Sequence, residues 1–229
     1  MILGLSTGIL RESLTIEEIL SFYKEIGCEA IELSPDHWQN ITKSLLNDFK
    51  YISVHAGASF PYADNEETHR ELKSLEGKHN EVGFRCVVVH PPDFKDWQVL
   101  KRYKLPWAIE NMDNLNTLGT TPEEVLAYSK RADCNVALDL NHCFTHDETM
   151  KLADQFYEVL GEKIVELHIS GYKDRTDEGR HLPLSLTKQL AIIKKAKNIP
   201  IIGEADHGTK ESAKEEFEYL KEMLKNSFK

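Results

Sequence analysis

The sequence has little cysteine, no long apolar run and no linker. Its four cysteines form no CxxC pair, which predicts buried thiols in a reducing compartment, outside any functional site. No stretch approaches the roughly 20 apolar residues of a membrane-spanning helix, and the first apolar run begins at Ile2, which leaves no room for a signal peptide. No low-complexity segment divides the chain. The sequence therefore predicts one domain over residues 1–229 in a cytoplasmic protein without membrane association.

Basic residues are also in deficit. The chain has 28 Lys and Arg against 38 Asp and Glu, a net charge of −10 that repels polyanions at long range. A local basic rim would still allow contact with DNA, and metal ions bound to carboxylates would offset part of the negative charge. With 41% hydrophobic and 29% charged residues, the composition is that of an ordinary globular protein. Nucleic acid is therefore the less favoured partner.

Short apolar runs recur along the chain, separated by amphipathic stretches of helical length. The eight runs are ILGLS from residue 2, AIELS from 30, ISVH from 52, CVVVH from 86, WAIE from 107, VALD from 136, IVELH from 164 and PIIGE from 200. Such runs are typical of buried parallel strands. Eight strand–helix units in succession predict an α/β fold, a single (β/α)8 TIM barrel. At 229 residues the chain is shorter than the typical ~250 residues, so long inserted loops are not expected.

Several helix starts can be predicted from capping residues. Thr121 is followed by Pro122 and two glutamates, a capping box with proline at the first helical position. Thr15 begins a similar pattern, and Asp147 is predicted to open the sixth helix. The last helix is expected from about Lys210, with its Lys and Glu side chains in solvent.

Residues that can bind a metal stand at or just after the predicted strand ends. They are Glu32, His55, His90, Glu110, Asp139, His142, His168 and Glu204. The carboxyl ends of barrel strands gather at one mouth, where an unpaired buried charge would cost several kcal/mol. Glu110, Asp139, His168 and Glu204 end four consecutive strands and together require a cation. Their oxygen and nitrogen donors suit Zn, Mn, Co or Fe and suit calcium poorly, and the lack of thiolates favours a catalytic site with open positions.

The remaining strand-end residues leave alternatives open. His55 or His90 taken alone is typical of a hydrogen-bonded structural histidine. Taken together on adjacent strands, with Glu110 as a bridge, the two histidines form a natural second metal site. Glu32 stands one residue before the end of its apolar run and is expected to pair with a nearby Lys or Arg.

Seven segments resemble those of a known superfamily. They are VHAGASFPY at 54–62, VVVHPPDF at 87–94, WAIENMDN at 107–114, ALDLNHCF at 137–144, VELHIS at 165–170, GRHLPL at 179–184 and IIGEA at 201–205. In this order they resemble the xylose isomerase-like TIM-barrel superfamily. That superfamily joins sugar and sugar-phosphate isomerases and epimerases to the endonuclease IV type of AP endonuclease (AP endonuclease family 2).

The isomerase branch of this resemblance implies one divalent metal, namely Mn, Zn, Co or Mg. Its ligands would be Glu110, Asp139, His168 and Glu204. Glu110 and Glu204 would also act as the acid and base that move a proton between adjacent carbons of a sugar or sugar phosphate. His142, Arg175 and His181 would bind the substrate.

The endonuclease branch implies a trinuclear zinc cluster that cleaves abasic DNA. The matching residues would be His55, His90, Glu110, Asp139, His142, His168, His181 and Glu204. An aspartate expected two residues before His181 is replaced by Gly179, so a third zinc on His142 and His181 would lack its carboxylate unless Asp177 supplies it. Short loops also leave little protein to bend a DNA duplex. The sequence therefore favours an isomerase or epimerase, with a zinc phosphodiesterase as the alternative.

Overall fold

Eight parallel strands form one closed barrel in chain order, as predicted. The computed structural model describes residues 1–10, 14–56, 62–206 and 208–228, except for the side chains of residues 177 and 178. The strands are β1 Leu3–Ser6, β2 Ala30–Leu33, β3 Tyr51–His55, β4 Cys86–Val89, β5 Trp107–Glu110, β6 Asn135–Asp139, β7 Ile164–Ile169 and β8 Ile201–Gly203. Pairing of β1 with β8 closes the barrel. The predicted (β/α)8 fold class is therefore confirmed.

Helices cover the outside of the barrel. They are α1 Ile16–Ile26, α2 Lys43–Leu46, α3 Glu66–Val82, α4 Pro122–Ala132, α5 Leu140–His146, α6 Lys151–Leu160, α7 Asp177–Arg180, α8 Leu184–Thr187, α9 Leu190–Lys195 and α10 Lys210–Ser227. Further 3₁₀ turns lie at Thr7–Leu10, Trp38–Asn40, Pro91–Asp93, Trp97–Arg102 and Gly161–Lys163. Several of the outer helices are only one turn long, which explains how a barrel fits in 229 residues. Within the described residues, no helix is long and apolar enough to cross a membrane.

The helix starts follow their capping residues with one difference. Thr15 forms a reciprocal capping box at α1, and the Thr121 hydroxyl accepts a hydrogen bond from the third residue of α4. The start predicted at Asp147 is wrong by a few residues, because α6 begins at Lys151 after Met150 adopts a left-handed conformation at φ 59°. The Asp147 carboxylate instead accepts hydrogen bonds from Thr149 and Leu152 backbone N–H groups, so it stabilises the turn that leads into the helix.

The core has two parts. Most buried apolar side chains lie between the strands and the outer helices. A smaller group fills the inside of the barrel, formed by Ala30, Tyr51, Cys86, Val88, Ala108, Ala137 and Ile202. All four cysteines are buried free thiols, as predicted. The small inner group leaves room for polar side chains at the mouth of the barrel.

Candidate metal-binding active site

The strand period places the candidate side chains over the barrel axis. Side chains alternate along a strand, so residues two positions apart point to the same side of the sheet. Glu32, His90, Glu110, Asp139 and Glu204 each stand two residues after a member of the inner apolar group. His168 likewise follows the buried Glu166 by two residues. Inward orientation at the strand ends therefore follows from the sequence period together with closure of the barrel.

Of these side chains, His90, Glu110 and Glu204 open into a cavity of about 290 Å³ at the carboxyl ends of the strands. Glu32, Asp139 and His168 are fully buried and do not belong to its lining. Of the predicted site residues, His55, His90, Glu110, His142, His181 and Glu204 line this cavity. Arg175 is exposed and stands outside the cavity lining, so its substrate contact stays a prediction. The lining also includes polar residues that the sequence pattern did not single out, namely Asp113, Asn116, Arg180 and Asp206. Adjacency of Arg180 to His181 was the one available signal for this second group.

Four of the candidate ligands converge on one point. One ligand atom from each of Glu110, Asp139, His168 and Glu204 lies within 4.8 Å of the other three. Nδ1 of His168 is 2.6 Å from Oε1 of Glu110 and 3.2 Å from Oε2 of Glu204. Asp139 is fully buried, and its Oδ2 atom has no hydrogen-bond partner among the described residues. An unsatisfied buried carboxylate oxygen beside two further carboxylates fits a divalent cation.

A second group of three shares Glu110 with the first. Nε2 of His90 lies 2.7 Å from Oε2 of Glu110, and Nε2 of His55 lies 3.6 Å from the same oxygen. Glu110 thus directs one carboxylate oxygen to His168 and the other to His55 and His90. One ligand atom from each of these three residues again lies within 4.8 Å of the others. The donor set and the divided carboxylate fit a second metal position next to the first.

Two further carboxylates stand behind His168. Nε2 of His168 is 2.9 Å from Oε1 of Glu166 and 3.3 Å from Oε2 of Glu32. The predicted pairing of Glu32 with Lys or Arg is therefore wrong, because Glu32 is fully buried and faces an imidazole. Burial raises the pKa of Glu32 to about 8, against the opposing effect of His168. An N–H at Nε2 that donates to Glu166 leaves Nδ1 of His168 for the ligand position.

Asn111 and Asp139 fix each other and His142. The side-chain amide of Asn111 donates to the backbone carbonyl of Asp139 at 3.0 Å and accepts from the backbone N–H of Asp139 at 2.7 Å. Nδ1 of His142 lies 2.7 Å from the Asn111 carbonyl oxygen, which can only accept. Nδ1 therefore carries a hydrogen. In the neutral imidazole this leaves a lone pair at Nε2, 3.6 Å from Oδ2 of Asp139.

Close contact between acids and imidazoles shifts their pKa values in the metal-free protein. Burial alone would raise the pKa of Glu204, but His168 outweighs it and lowers that pKa to about 2. His168 similarly holds the pKa of Glu110 well below its usual value against the effect of burial. Burial would lower the pKa of His55, but Glu110 and Glu32 raise it to about 9. At neutral pH the two glutamates are therefore ionised and His55 is protonated.

Metal binding at neutral pH is expected to release protons. Because the pKa of His55 is raised from 6.5 to about 9, protonated His55 stabilises the metal-free folded protein. This contribution to the free energy of unfolding is fully present below about pH 6.5 and is lost as the pH rises through about 9. A metal at the second position, held by His55, His90 and Glu110, requires an unprotonated His55, so the affinity of that position should rise across the same window. Titration calorimetry in buffers of different ionisation enthalpy counts the released protons. His55 has already lost its proton at about pH 10, so fewer protons should be released there than at about pH 7, and equal heats in all buffers at neutral pH would contradict this expectation.

Comparison with known proteins gives a result at the level of the fold. No protein-family profile matches the chain, and no curated protein matches it significantly. Among solved structures, a probable 3-DHS dehydratase from Bacillus anthracis, AsbF, is 18% identical with a TM-score of 0.70 over 96% of this chain and 99% of that chain. Endonuclease IV from Thermus thermophilus is 16% identical with a TM-score of 0.71 over 100% and 99%. An L-ribulose 3-epimerase is 14% identical with a TM-score of 0.66 over 99% and 95%. The three names cover three reactions, so fold similarity leaves the choice of reaction to the site.

Proposed function

We propose that this chain, which has the xylose isomerase-like TIM-barrel fold, is a divalent-metal-dependent isomerase or epimerase of a small sugar or sugar phosphate. The observation that carries the proposal is the convergence of Glu110, Asp139, His168 and Glu204, of which Glu110 and Glu204 line the cavity. A cavity of about 290 Å³ is near the lower end of small-molecule sites, which are typically ~300 Å³ or larger. A cavity of this volume can hold a single sugar but not a DNA duplex.

The two glutamates differ in their freedom to move a proton. Glu110 is almost fully buried and is in contact with imidazoles through both oxygens. Glu204 keeps 14% of its side chain exposed, and His168 is its one ion-pair partner among the described residues. Glu204 is therefore the group we assign as the base that removes a proton from the substrate. Glu110 is the second acid or base of the pair.

The other lining residues would hold the substrate hydroxyl groups. A divalent metal held by the four converging residues would polarise the substrate carbonyl and hydroxyl oxygens. His142, His181 and Arg180 line the cavity and supply hydrogen-bonding groups around its edge. Asp113 stands 3.7 Å from Nη1 of Arg180, so the guanidinium is oriented before a substrate arrives. The predicted cofactor identity, Mn, Zn, Co or Mg, belongs to this proposal.

Metal content and proton exchange test the proposal together. Protein purified without chelator should contain about one Mn, Co or Mg per chain by mass spectrometry. A panel of aldoses, ketoses and their phosphates, incubated in D₂O, should include one that gains deuterium at the carbon next to the carbonyl. Exchange should require the metal-loaded protein and disappear after chelation. A metal-loaded protein that exchanges no member of the panel would remove the isomerase proposal.

The cluster of His55, His90 and Glu110 favours one second candidate, a zinc phosphodiesterase acting on abasic DNA. Gly179 counts against a full trinuclear site, because it supplies no carboxylate at the position where the resemblance implies an aspartate. The side chain of Asp177, the other conceivable carboxylate, lies outside the described residues. Two or three zinc ions per chain would favour this candidate.

His90→Ala separates the two candidates. Under the isomerase proposal this variant keeps the metal held by Glu110, Asp139, His168 and Glu204, and neither it nor the wild type cleaves an abasic duplex. Under the phosphodiesterase candidate the wild type cleaves and the variant loses both a zinc ion and cleavage. His79→Ala, on the outer helix α3, is the matched control. Cleavage that survives His90→Ala would argue against a zinc ion on His90.

A further inference from the structure

One buried amide holds the segment that carries Arg180 and His181. After β7 the chain leaves the barrel mouth and returns through an antiparallel bridge between Gly171 and Leu182. Asn141 of α5 is buried, and its Nδ2 atom lies 2.7 Å from the Arg180 carbonyl oxygen, 3.1 Å from the Gly171 carbonyl oxygen and 2.6 Å from Oγ of Ser170. The amide thereby ties the departing and the returning ends of the segment to each other. Asn141 fixes where both Arg180 and His181 stand at the cavity edge.

The direction of these hydrogen bonds can be derived from their partners. Carbonyl oxygens only accept, so the atom of Asn141 that faces two of them is the amide nitrogen, which only donates. This nitrogen shares its two hydrogens among three oxygens and accepts none, so the Ser170 hydroxyl cannot donate to Asn141. Ser170 is fully buried, and its hydroxyl hydrogen needs an acceptor of its own. Among the described residues the other partner of this hydroxyl is Nδ1 of His181, at 3.1 Å.

We propose that Asn141 and Ser170 hold His181 with its hydrogen on Nε2, so that His181 donates a hydrogen bond into the cavity and does not bind a metal. A ring whose Nδ1 accepts from Ser170 is neutral with its hydrogen on Nε2. A metal bound through Nε2 would require that hydrogen to be absent and Nδ1 to donate. Ser170, which cannot donate to Asn141, would then have a buried hydroxyl hydrogen without an acceptor, which is costly.

The neighbouring His142 has the opposite arrangement. Its Nδ1 donates to the Asn111 carbonyl, which leaves an acceptor at Nε2. The two rings are 5.8 Å apart between centroids and nearly perpendicular. A metal between them would need a lone pair from each ring, and His181 does not supply one. The pair instead offers one acceptor and one donor, which matches a substrate hydroxyl group next to a second oxygen.

The proposed donor at His181 also restricts which part of a substrate can bind at this edge of the cavity. This restriction rests on the proposed function. Both His181 and Arg180 present N–H donors at the same edge of the cavity. The part of the substrate that reaches this edge must therefore be an oxygen acceptor, as in a hydroxyl, a carbonyl or a phosphate group. Asn141 and Ser170 are positioning residues in this arrangement, because they act through His181 and do not line the cavity.

The tautomer can be measured without any assay of activity. The measurement is a two-bond ¹⁵N–¹H correlation spectrum of metal-loaded protein labelled with ¹⁵N-histidine. The His181 signals are assigned by their loss in a His181→Gln variant. They should show the pattern of a neutral ring protonated at Nε2. Ser170→Ala should shift His181 towards a mixture of tautomers, while Ser74→Ala, on the exposed side of α3, should not. A His181 ring protonated at Nδ1 and coordinated through Nε2 would overturn the proposal.

Paired variants at His181 add a second readout. Glutamine can place an N–H near Nε2 of the histidine, and asparagine can place one near Nδ1. His181→Asn should therefore raise KM about three- to tenfold more than His181→Gln, with a smaller change in kcat, as expected for one lost hydrogen bond. Both variants should keep the wild-type metal content. Loss of one metal ion per chain in either variant would overturn the proposal. The spectra and the metal content decide this even if no sugar substrate is found.

Discussion

Glu204→Gln is expected to lower the turnover of the isomerase reaction by about 10²- to 10⁴-fold, the usual contribution of a general base. The amide keeps the size of the side chain and one oxygen that can still bind a metal, but it cannot accept a proton. In the metal-free wild type the pKa of Glu204 is lowered to about 2, because His168 outweighs the effect of burial. The variant should fold, because glutamine has the size of glutamate and its amide oxygen can still accept a hydrogen bond from Nδ1 of His168, although the charge that pairs with this ring is lost.

Three measurements make this prediction specific. Circular dichroism and thermal unfolding report folding, mass spectrometry reports metal content, and deuterium exchange from solvent reports proton removal. Exchange should fall together with turnover, because both need the base. Glu222→Gln, an exposed position on α10, is the matched control and should behave as the wild type. Retained exchange in a folded, metal-loaded Glu204→Gln protein would remove Glu204 from the role of base.

Gly4→Ala is expected to destabilise the protein by about 3 kcal/mol, at the upper end for overpacking. A Cβ at this position would lie 1.9 Å from the carbonyl oxygen and 2.2 Å from the carbonyl carbon of Ala30 on the adjacent strand. Both atoms are backbone, so relief requires β1 and β2 to separate. The same two strands pair Ser6 with Glu32 near the mouth. Strand separation would therefore also disturb the support of His168.

Gly77→Ala is the matched control for this substitution. Gly77 lies within α3, is exposed, and has no atom within 4 Å of an added Cβ. Alanine should stabilise the helix by about 0.5–1 kcal/mol, because glycine loses more backbone freedom on folding. Thermal unfolding should thus move in opposite directions, down by roughly 10 °C for Gly4→Ala and slightly up for Gly77→Ala. A Gly4→Ala protein as stable as the wild type would show that the two strands can separate at little cost.

The main candidate ligands can be predicted from the sequence because two regular patterns meet at the strand ends: the repeat of strand and helix along the chain, and the alternation of side chains along each strand. The strand repeat places each run in the barrel, and the alternation of side chains then directs Glu110, Asp139 and Glu204 inward. Their chemistry follows from residue type alone, since buried carboxylates and imidazoles need partners. Arg175 illustrates the limit of this approach. It lies in a loop, where neither period applies, and its contact with a substrate stays a prediction, whereas Arg180 lines the cavity.

Residues in the second layer around the site were not accessible in the same way. Glu166 belongs to an apolar run, and nothing in that run shows that its carboxylate meets His168. Glu32 lies on β2 and His168 on β7, so their contact exists only because the closed barrel brings non-adjacent strands together across its axis. The bonds from Asn141 to Ser170 depend on the return of a loop, which no local propensity fixes.

The sequence by itself determined the barrel, the inward direction of the strand-end residues and the donor types of a metal site, because periodicity and residue chemistry are local properties. The tertiary structure alone decided which oxygen of Glu110 faces which histidine, which arginine lines the cavity and which nitrogen of His181 faces Ser170. These depend on distances of a few ångströms between side chains on different strands and loops. Hydrogen bonding is directional and short-ranged, so such details are fixed only when the barrel closes.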